Sequence, residues 1–307
     1  MKKCVVIINP KSGKGLIKKY LEKIEDIITS YGYRVKIIIT EYPRHATKII
    51  KGIDNDIDLV ISVGGDGTFS EVMNGNLLRE KPLVLSHLPV GTTNDIGYMY
   101  GLGNHILTNL KLILDGCIKE LDVGLINNHA FTYVASFGKF MDIPYKTPQE
   151  LKRSFGYFAY IIEVFKRIFD HIPRYEITYT INGEEYHGKY TFIIISNANR
   201  IAGINNFYED VKLDDSCFEV MLCSLSKKRD ILKAIYTLKT STIKKVSGIE
   251  IYKAREMEII FKDNDNKPWC VDGEEFFDDK NRYIIGLRHN VKMQIPNINI
   301  SRLFVKK

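Results

Sequence analysis

Three glycine-rich segments in the first hundred residues carry the side chains best suited to chemistry. The clearest is Gly64-Gly-Asp-Gly-Thr68, which directly follows the apolar run Asp58–Val63. Glycines let a backbone approach a bulky anion closely, and N–H groups at the start of a helix bind phosphate. Because Phe69–Gly75 returns to a helix-compatible pattern, the sequence predicts a strand, a turn and a helix around this segment. That arrangement indicates a nucleotide site.

Two further segments repeat the theme of glycine and hydroxyl groups after an apolar strand. They are Asn9-Pro-Lys-Ser-Gly-Lys-Gly15, where Lys11 or Lys14 would add positive charge, and Pro89-Val-Gly-Thr-Thr-Asn-Asp95. The first is not a Walker A loop, and taken alone it could be an ordinary polar turn. Ligands of open α/β sheets bind at the carboxyl ends of the strands, so three such segments from one sheet should converge.

Carboxylates form a second set of candidate residues. Asp66, Asp95 and Asp122 each follow a predicted strand of the same sheet, and Asp272 and Glu274 come from the second half of the chain. Phosphoryl transfer needs Mg²⁺, which prefers oxygen ligands, and a carboxylate that takes a proton from the attacking hydroxyl. The alternative is that these acids form turns and cap helices, notably Asp272, which precedes a glycine.

Strands and helices alternate in the first 125 residues, which predicts parallel βαβ units. The expected strands are Cys4–Ile8, Val35–Ile39, Leu59–Val63 and Leu83–Leu88. The expected helices are Leu16–Tyr31, Ala46–Ile53, Phe69–Leu78 and Ile106–Leu114.

After Asp122 the pattern becomes that of an antiparallel sheet. Asn182-Gly183 lies between two β-type runs, Tyr175–Ile181 and Tyr186–Ile195, and both residues accept a positive φ, so a hairpin is expected. Further β-type runs are Phe218–Ser224, Met257–Phe261, Tyr283–Leu287 and Val291–Ile295. Helices are expected near 150–170 and 228–239. The first is apolar nearly all round, which is typical of a core helix and alternatively of a wall of an acyl-chain groove.

The expected fold is therefore α/β plus β. A parallel-sheet, Rossmann-type nucleotide domain would span residues 1–125, and residues from about 290 to 307 could pack back onto it. A β-rich, antiparallel sandwich-like domain would span residues 126–290.

Composition limits the classes of partner. The chain has 307 residues, 45% of them hydrophobic, and a net charge of +7, which suits a nucleotide, a nucleic acid or an acidic membrane surface unless the charge is spread evenly. No dense Lys/Arg block and no nucleic-acid recognition motif is present, so nucleic-acid binding is not expected. Five scattered cysteines fit a reducing cytosol. No apolar run reaches the length of a membrane-spanning helix, so we expect any membrane contact to be peripheral.

Six blocks together resemble one known family. In order, they are Asn9–Gly13, Thr40, His45-Ala46, Gly64–Thr68 with Glu71–Gly75, Gly91–Asp95 and Val271–Glu274. The chain resembles the diacylglycerol kinase catalytic-domain family, especially the soluble bacterial lipid kinases. Sphingosine kinases belong to the same superfamily, and NAD kinases are more distant relatives.

The resemblance implies roles for individual residues. Glu274 would be the catalytic base, and Asp66, Asp95 and Asp122 would belong to the carboxylate network around the catalytic Mg²⁺. A structural Mg²⁺ would be bound by the Asp215 side chain and the backbone carbonyls of Lys212 and Cys217, although Ser216 stands where the family usually has glycine. The ATP site would be lined by Asn9, Pro10, Lys11, Ser12, Gly13, Thr40, Gly64, Gly65, Asp66, Gly67, Thr68, Glu71, Gly91, Thr92 and Asn94.

The resemblance also implies an activity. The expected protein is an ATP- and Mg²⁺-dependent lipid kinase that converts diacylglycerol to phosphatidic acid, cytoplasmic and peripherally associated with an anionic inner membrane face. Family members commonly dimerise, so a homodimer is an option. The alternatives are a kinase for a sphingoid base, another lipid alcohol or NAD, and a non-catalytic nucleotide- or lipid-binding protein on the same fold.

Overall fold

A computed structural model describes residues 1–139, 171–198, 200–201, 204–205, 208, 210–240, 246–263, 268–278 and 280–305. The helix expected near 150–170 lies outside them. The chain divides into two compact units, Met1–Asp122 with His289–Lys307 and Val123–Arg288. Within the described ranges, no helix is both long enough and apolar enough to cross a membrane.

The first unit contains a parallel sheet with the order β2-β1-β3-β4. Its strands are β1 (Lys2–Ile8), β2 (Tyr33–Ile39), β3 (Leu59–Gly64) and β4 (Leu85–Pro89). β1 pairs with β2 on one side and with β3 on the other, and the register places Ile8 beside both Ile39 and Val63. On the other side of β4, the strand that contains Met293 pairs with it in parallel, and Met293 lies opposite Leu85.

Helices connect these strands. A 3-10 helix covers Gly13–Tyr20, and the α-helices are α1 (Leu21–Ser30), α2 (His45–Gly52), α3 (Asp66–Leu77), α4 (Asp95–Met99) and α5 (Ile106–Leu114). Ile24 of α1 and Ile113 of α5 pack in one core cluster with Val6 of β1. The neighbouring Val5 and Ile7 are also buried. Because successive strand residues point to opposite faces, the sheet is covered on both sides, as a parallel sheet requires.

The described part of the second unit has two large antiparallel sheets and one sheet of only two strands. Its strands are β5 (Cys117–Ile126, which begins in the first unit), β6 (His129–Phe131), β7 (Val134–Gly138), β8 (Tyr175–Ile181), β9 (Glu184–Tyr190), β10 (Phe192–Ser196), β11 (Arg200–Ile201), β12 (Ile204–Asn205), β13 (Phe218–Cys223), β14 (Ile249–Ala254), β15 (Met257–Phe261), β16 (Trp269–Val271), β17 (Glu274–Phe276) and β18 (Arg282–Ile295). The two-stranded sheet is formed by β11 and β12. One large sheet has the order β14-β13-β10-β7-β16-β17, and β18, β15, β8 and β9 are neighbours in the other. A shared core that includes Trp269, Phe218 and Tyr179 fills the space between them.

Two further helices complete the described structure. They are α6 (Lys228–Thr240) in the second unit and α7 (Ile300–Leu303) in the first. The predicted fold class, a parallel α/β domain followed by an antiparallel sandwich-like domain, is confirmed.

Four local expectations were wrong. The first helix starts as a 3-10 helix at Gly13, and its α-helical part begins only at Leu21. The run 186–195 is two strands, because the chain leaves one sheet and enters the other at Thr191. The two runs 283–287 and 291–295 form the single strand β18, with Asn290 at φ +59°. Eight strands in the described part of the chain had no counterpart in the expected pattern: β5, β6, β7, β11, β12, β14, β16 and β17.

Candidate active-site elements

Four loops leave neighbouring strands at the carboxyl edge of the first unit's sheet. Three backbone hydrogen bonds continue the strand pairing into the first residues of these loops. Thr40 N donates to Ile8 O (2.8 Å), Asn9 N to Val63 O (2.9 Å) and Val90 N to Gly64 O (2.8 Å). The parallel strand order therefore brings the predicted ATP-site segments of the sequence side by side. We call Asn9–Gly13, Gly64–Thr68 and Gly91–Asp95 glycine segments 1, 2 and 3.

The three glycine segments are in backbone contact. Gly13 has φ +59°, and a Cβ placed on it would lie 2.3 Å from the carbonyl oxygen of Val90, the residue directly before segment 3. A Cβ on Gly91 would lie 2.6 Å from the Cα of Gly65. Only glycine allows such approaches, so Gly13 and Gly91 are required by the close packing of these loops.

Side chains also link the segments. The amide of Asn9 donates to the hydroxyl of Thr68 (3.0 Å), and its carbonyl oxygen accepts from the backbone N–H of Lys11 (3.0 Å). Asn94, with φ +52°, donates from its side-chain amide to Gly91 O (3.1 Å). These contacts fix the shapes of segments 1 and 3 around segment 2.

Asp66 is the carboxylate at the centre of this arrangement. It is 8% exposed, and it accepts hydrogen bonds from the backbone N–H groups of Asp95 (3.0 Å) and Ile96 (3.2 Å) at the start of α4. Asp95 itself is 1% exposed. The structure therefore brings Asp66 and Asp95 together.

Glu71 holds the loop that carries Thr40. Its carboxylate accepts from the backbone N–H groups of Arg44 (2.8 Å) and Ala46 (3.2 Å), and its backbone carbonyl accepts from the hydroxyl of Thr47 (2.9 Å). Since Arg44 has φ +65°, a strained value for arginine, these bonds help to keep the turn in place. Glu71 is a member of the predicted ATP-site set, and its observed contacts are structural ones that support this loop.

Asp122 has a partner that the sequence did not indicate. The residue is 7% exposed, and its carboxylate lies 2.6 Å from Nδ1 of His289 on β18. No motif surrounds His289, and the two residues are 167 positions apart, so only the pairing of distant strands could reveal the contact.

Glu274 of the second unit is exposed at the start of β17, on a hairpin with β16. The turn residues Asp272 and Gly273 have φ +50° and +86°, which matches a tight two-residue hairpin turn. The hairpin places Glu274 opposite Val271.

Asp272 attaches this hairpin to the segment between β6 and β7. It is 2% exposed, and its carboxylate accepts from Thr132 N (2.7 Å), Thr132 Oγ1 (2.8 Å), Tyr133 N (3.1 Å) and Val134 N (3.2 Å). Burial raises the pKa of Asp272, and these donors oppose the rise. Asp272 is thus more than a turn former, because it fixes the base of the hairpin that presents Glu274.

At the predicted structural metal site, a lysine side chain contacts the expected ligand Asp215. The Asp215 carboxylate accepts from Cys217 N (3.1 Å) through one oxygen, and its other oxygen lies 2.6 Å from Nζ of Lys253. An ammonium group in that position competes with a divalent cation for the same oxygen. This arrangement does not fit Mg²⁺ bound at Asp215. More generally, no group of three or more His, Cys, Asp or Glu within the described residues could hold a metal ion.

Comparisons with known proteins agree with this architecture. A family model described as the diacylglycerol kinase catalytic domain matches residues 3–126. A diacylglycerol kinase of Staphylococcus epidermidis is 31% identical over 222 residues, which cover 72% of this chain and 70% of the relative. A diacylglycerol kinase of Staphylococcus aureus strain JH9 is 31% identical over 233 residues, which cover 75% and 73%.

A solved structure shares the fold. A diacylglycerol kinase from Bacillus anthracis str. Sterne superposes with a TM-score of 0.81 over 97% of this chain and 99% of that chain, at 24% identity.

These similarities first define a class of enzyme, the phosphotransferases with an alcohol group as acceptor. The chain belongs to the diacylglycerol kinase catalytic-domain family. The resemblance noted in the sequence is thereby confirmed.

Proposed function

We propose that the protein is an ATP- and Mg²⁺-dependent lipid kinase that phosphorylates diacylglycerol to phosphatidic acid. The observation that carries the proposal is the backbone contact between three glycine segments at one sheet edge, since it supports a site for a polyphosphate. The names of the relatives in the two staphylococci support diacylglycerol as the acceptor.

ATP would be held by the first unit. The backbone N–H groups of glycine segments 1 and 2 would bind the phosphates at the starts of the 3-10 helix and of α3, with Lys11 adding charge. Thr40 would contact the nucleotide from the loop that Glu71 holds in place. The remaining members of the predicted ATP-site set belong to the same three segments.

Mg²⁺ would be held by few protein groups, because this ion usually keeps several waters and binds one or two carboxylates together with substrate phosphates. Asp66 and Asp95 fit that role, since both are carboxylates and the Asp66 side chain lies against the backbone of Asp95. Asp122 would act further back in the same network. When bound, the ion neutralises phosphate oxygens during transfer.

Glu274 would take the proton from the lipid hydroxyl as that oxygen attacks the γ-phosphorus of ATP. A base must be held in place to act well, and Asp272 supplies this by anchoring the hairpin through four hydrogen bonds. The second unit would therefore supply the base and bind the lipid, and the first unit would bind ATP.

The acceptor lies in a membrane, so the enzyme would work as a cytoplasmic protein peripherally bound to an anionic membrane face. The net charge of +7 supports attraction to such a surface. Homodimer formation stays a prediction that analytical ultracentrifugation would test.

The experiment that tests the proposal is a panel of acceptors. Purified protein is incubated with radiolabelled ATP and Mg²⁺ together with diacylglycerol, a sphingoid base or NAD, and the labelled product is identified. We expect phosphatidic acid to form fastest. Faster labelling of another acceptor would contradict the diacylglycerol assignment, and nucleotide binding without transfer to any acceptor would favour a non-catalytic binding protein.

A substitution of Glu274 tests the assignment of the base. We expect Glu274→Gln to lower kcat by about 10²–10⁴-fold, because the amide cannot accept the proton. Glu275→Gln is a matched control on the same strand, where the side chain points to the opposite face, and it should keep near-wild-type turnover. Wild-type turnover in Glu274→Gln would show that another group is the base.

A further inference from the structure

We propose that Lys253 supplies the positive charge that the family resemblance assigns to a structural magnesium ion at Asp215. The ammonium nitrogen lies 2.6 Å from one oxygen of Asp215, and the other oxygen accepts the backbone N–H of Cys217 at 3.1 Å. Both oxygens of the expected metal ligand are thus engaged by groups of the chain itself. The inference concerns the stability of the second unit and is independent of the proposed kinase activity.

Strand pairing fixes the position of Lys253. In the antiparallel pair of β13 and β14, Lys253 lies directly opposite Glu219, so the two side chains stand on the same face of the sheet. The Asp215 side chain is 15% exposed and that of Lys253 is 45% exposed, so the ion pair is partly buried. The register of β13 and β14 therefore places the Lys253 side chain where its ammonium group reaches Asp215.

Glu219 is a second acidic side chain beside Lys253. It is 7% exposed, and within the described residues its Oε2 has no hydrogen-bond partner. The ammonium contacts Asp215 directly, at 2.6 Å. Lys253 therefore compensates the Asp215 carboxylate.

The turn at Ser216 is consistent with a metal-free segment. Ser216 has φ +59°, the region in which glycine is favoured, and it follows the carboxylate that binds Cys217 N. That hydrogen bond joins residues two apart, as in an Asx turn, and stabilises the turn locally. The segment therefore holds its shape through the Asp215 hydrogen bond and the Lys253 ion pair.

Thermal unfolding with and without divalent cations tests the inference. Without nucleotide, we expect the wild-type melting temperature to be the same in EDTA and in millimolar Mg²⁺. Lys253→Met keeps an apolar stem and removes the charge, so it should lower the melting temperature in EDTA by about 3 °C, because the Asp215 carboxylate loses its cation. Mg²⁺ or Mn²⁺ should restore part of this loss, since Asp215 is then available as a ligand.

A matched control and a direct binding measurement complete the test. Lys189→Met removes an exposed lysine that pairs with Glu176 at 3.0 Å, and it should show no cation-dependent stabilisation. Mn²⁺ titration followed by electron paramagnetic resonance should detect an added tight site in Lys253→Met compared with the wild type.

The opposite pattern would overturn the inference. That pattern is a wild-type protein that loses stability in EDTA, regains it with Mg²⁺, and no longer responds once Asp215→Asn is introduced. Because this comparison needs no Lys253 variant, it decides the question even if Lys253→Met does not fold. The lipid-kinase assay is a separate measurement, so neither result bears on the proposed activity.

Discussion

Asp66 and Asp272 are buried carboxylates that hold backbone in place. Asp66 accepts the N–H groups of Asp95 and Ile96, and Asp272 accepts those of Thr132, Tyr133 and Val134. Hydrogen bonds to a charged acceptor are stronger than neutral ones, and removing such an acceptor leaves buried donors unsatisfied. A loss of activity in variants of either residue therefore includes a structural contribution.

His87 gives the first unit a measurable sensitivity to acid. It is buried in β4 beside Phe69, at a ring distance of 4.9 Å, and burial lowers its pKa to about 3. The folded state thus keeps this imidazole neutral, whereas the unfolded chain protonates it below its ordinary pKa of about 6.5. Acidification from pH 6.5 towards pH 3 therefore favours unfolding through His87, by up to about 1.4 kcal/mol per pH unit.

The substitution His87→Leu should remove this dependence. We expect its free energy of unfolding in urea to fall less steeply between pH 6.5 and pH 4 than that of the wild type. His187→Gln is the control, because the His187 side chain is 69% exposed and its removal should leave the wild-type slope. Equal slopes for wild type and His87→Leu would mean that His87 is protonated in the folded state as readily as in the unfolded chain.

At the scale of elements, the close contact between glycine segments 2 and 3 predicts intolerance of a single methyl group. In Gly91→Ala the new Cβ would meet the Gly65 Cα at 2.6 Å and the side-chain oxygen of Asn94 at 2.9 Å. Overpacking of this kind costs about 1–3 kcal/mol, and moving either segment would also displace the backbone N–H groups proposed for phosphate binding. We expect lower stability and weaker ATP binding, measured by urea unfolding and calorimetry.

Gly52→Ala is the matched control, because nothing lies within 4 Å of a Cβ at the end of α2. It should leave ATP affinity unchanged. An equal loss of affinity in both variants would argue against a nucleotide site built from the contact of segments 2 and 3.

The sequence predicted elements well where one apolar run makes one element. Helix Ile106–Leu114 and strand Met257–Phe261 have the expected bounds, and Asn182 and Gly183 both adopt the positive φ expected of the hairpin. At Thr191 the apolar pattern continues while the chain changes sheet. The position of that change depends on two long-range hydrogen bonds that Thr191 donates, from its backbone N–H to Cys223 O and from its hydroxyl to Leu225 O.

The candidate site was predictable to the extent that it follows from local motifs. The glycine segments could be assigned to one sheet edge because parallel strands place their carboxyl ends together. The partners of Asp122, Asp215 and Asp272 could not be assigned, since His289, Lys253 and Thr132 lie far away in the sequence and belong to no motif. Their contacts depend on strand register, which a single sequence specifies only weakly.

At the scale of the whole molecule, the positive net charge predicts how the protein binds the membrane that would contain its proposed substrate. With a net charge of +7, it should sediment with vesicles that contain phosphatidylglycerol and much less with vesicles of phosphatidylcholine alone. Binding should weaken as salt rises, because the screening length is about 10 Å at 0.1 M ionic strength. Equal, salt-insensitive binding to both kinds of vesicle would contradict an electrostatic attachment.

The long strand β18 has a consequence for the order of events during synthesis. Its residues from His289 onward belong to the first unit, where Met293 lies beside Leu85 of β4, although the ribosome makes them after the whole second unit. Until then β4 presents an unpaired edge, and such edges in nascent chains favour misassociation. The N-terminal unit should therefore reach its final form only after translation has passed β18, reversing the usual order in which N-terminal domains mature first.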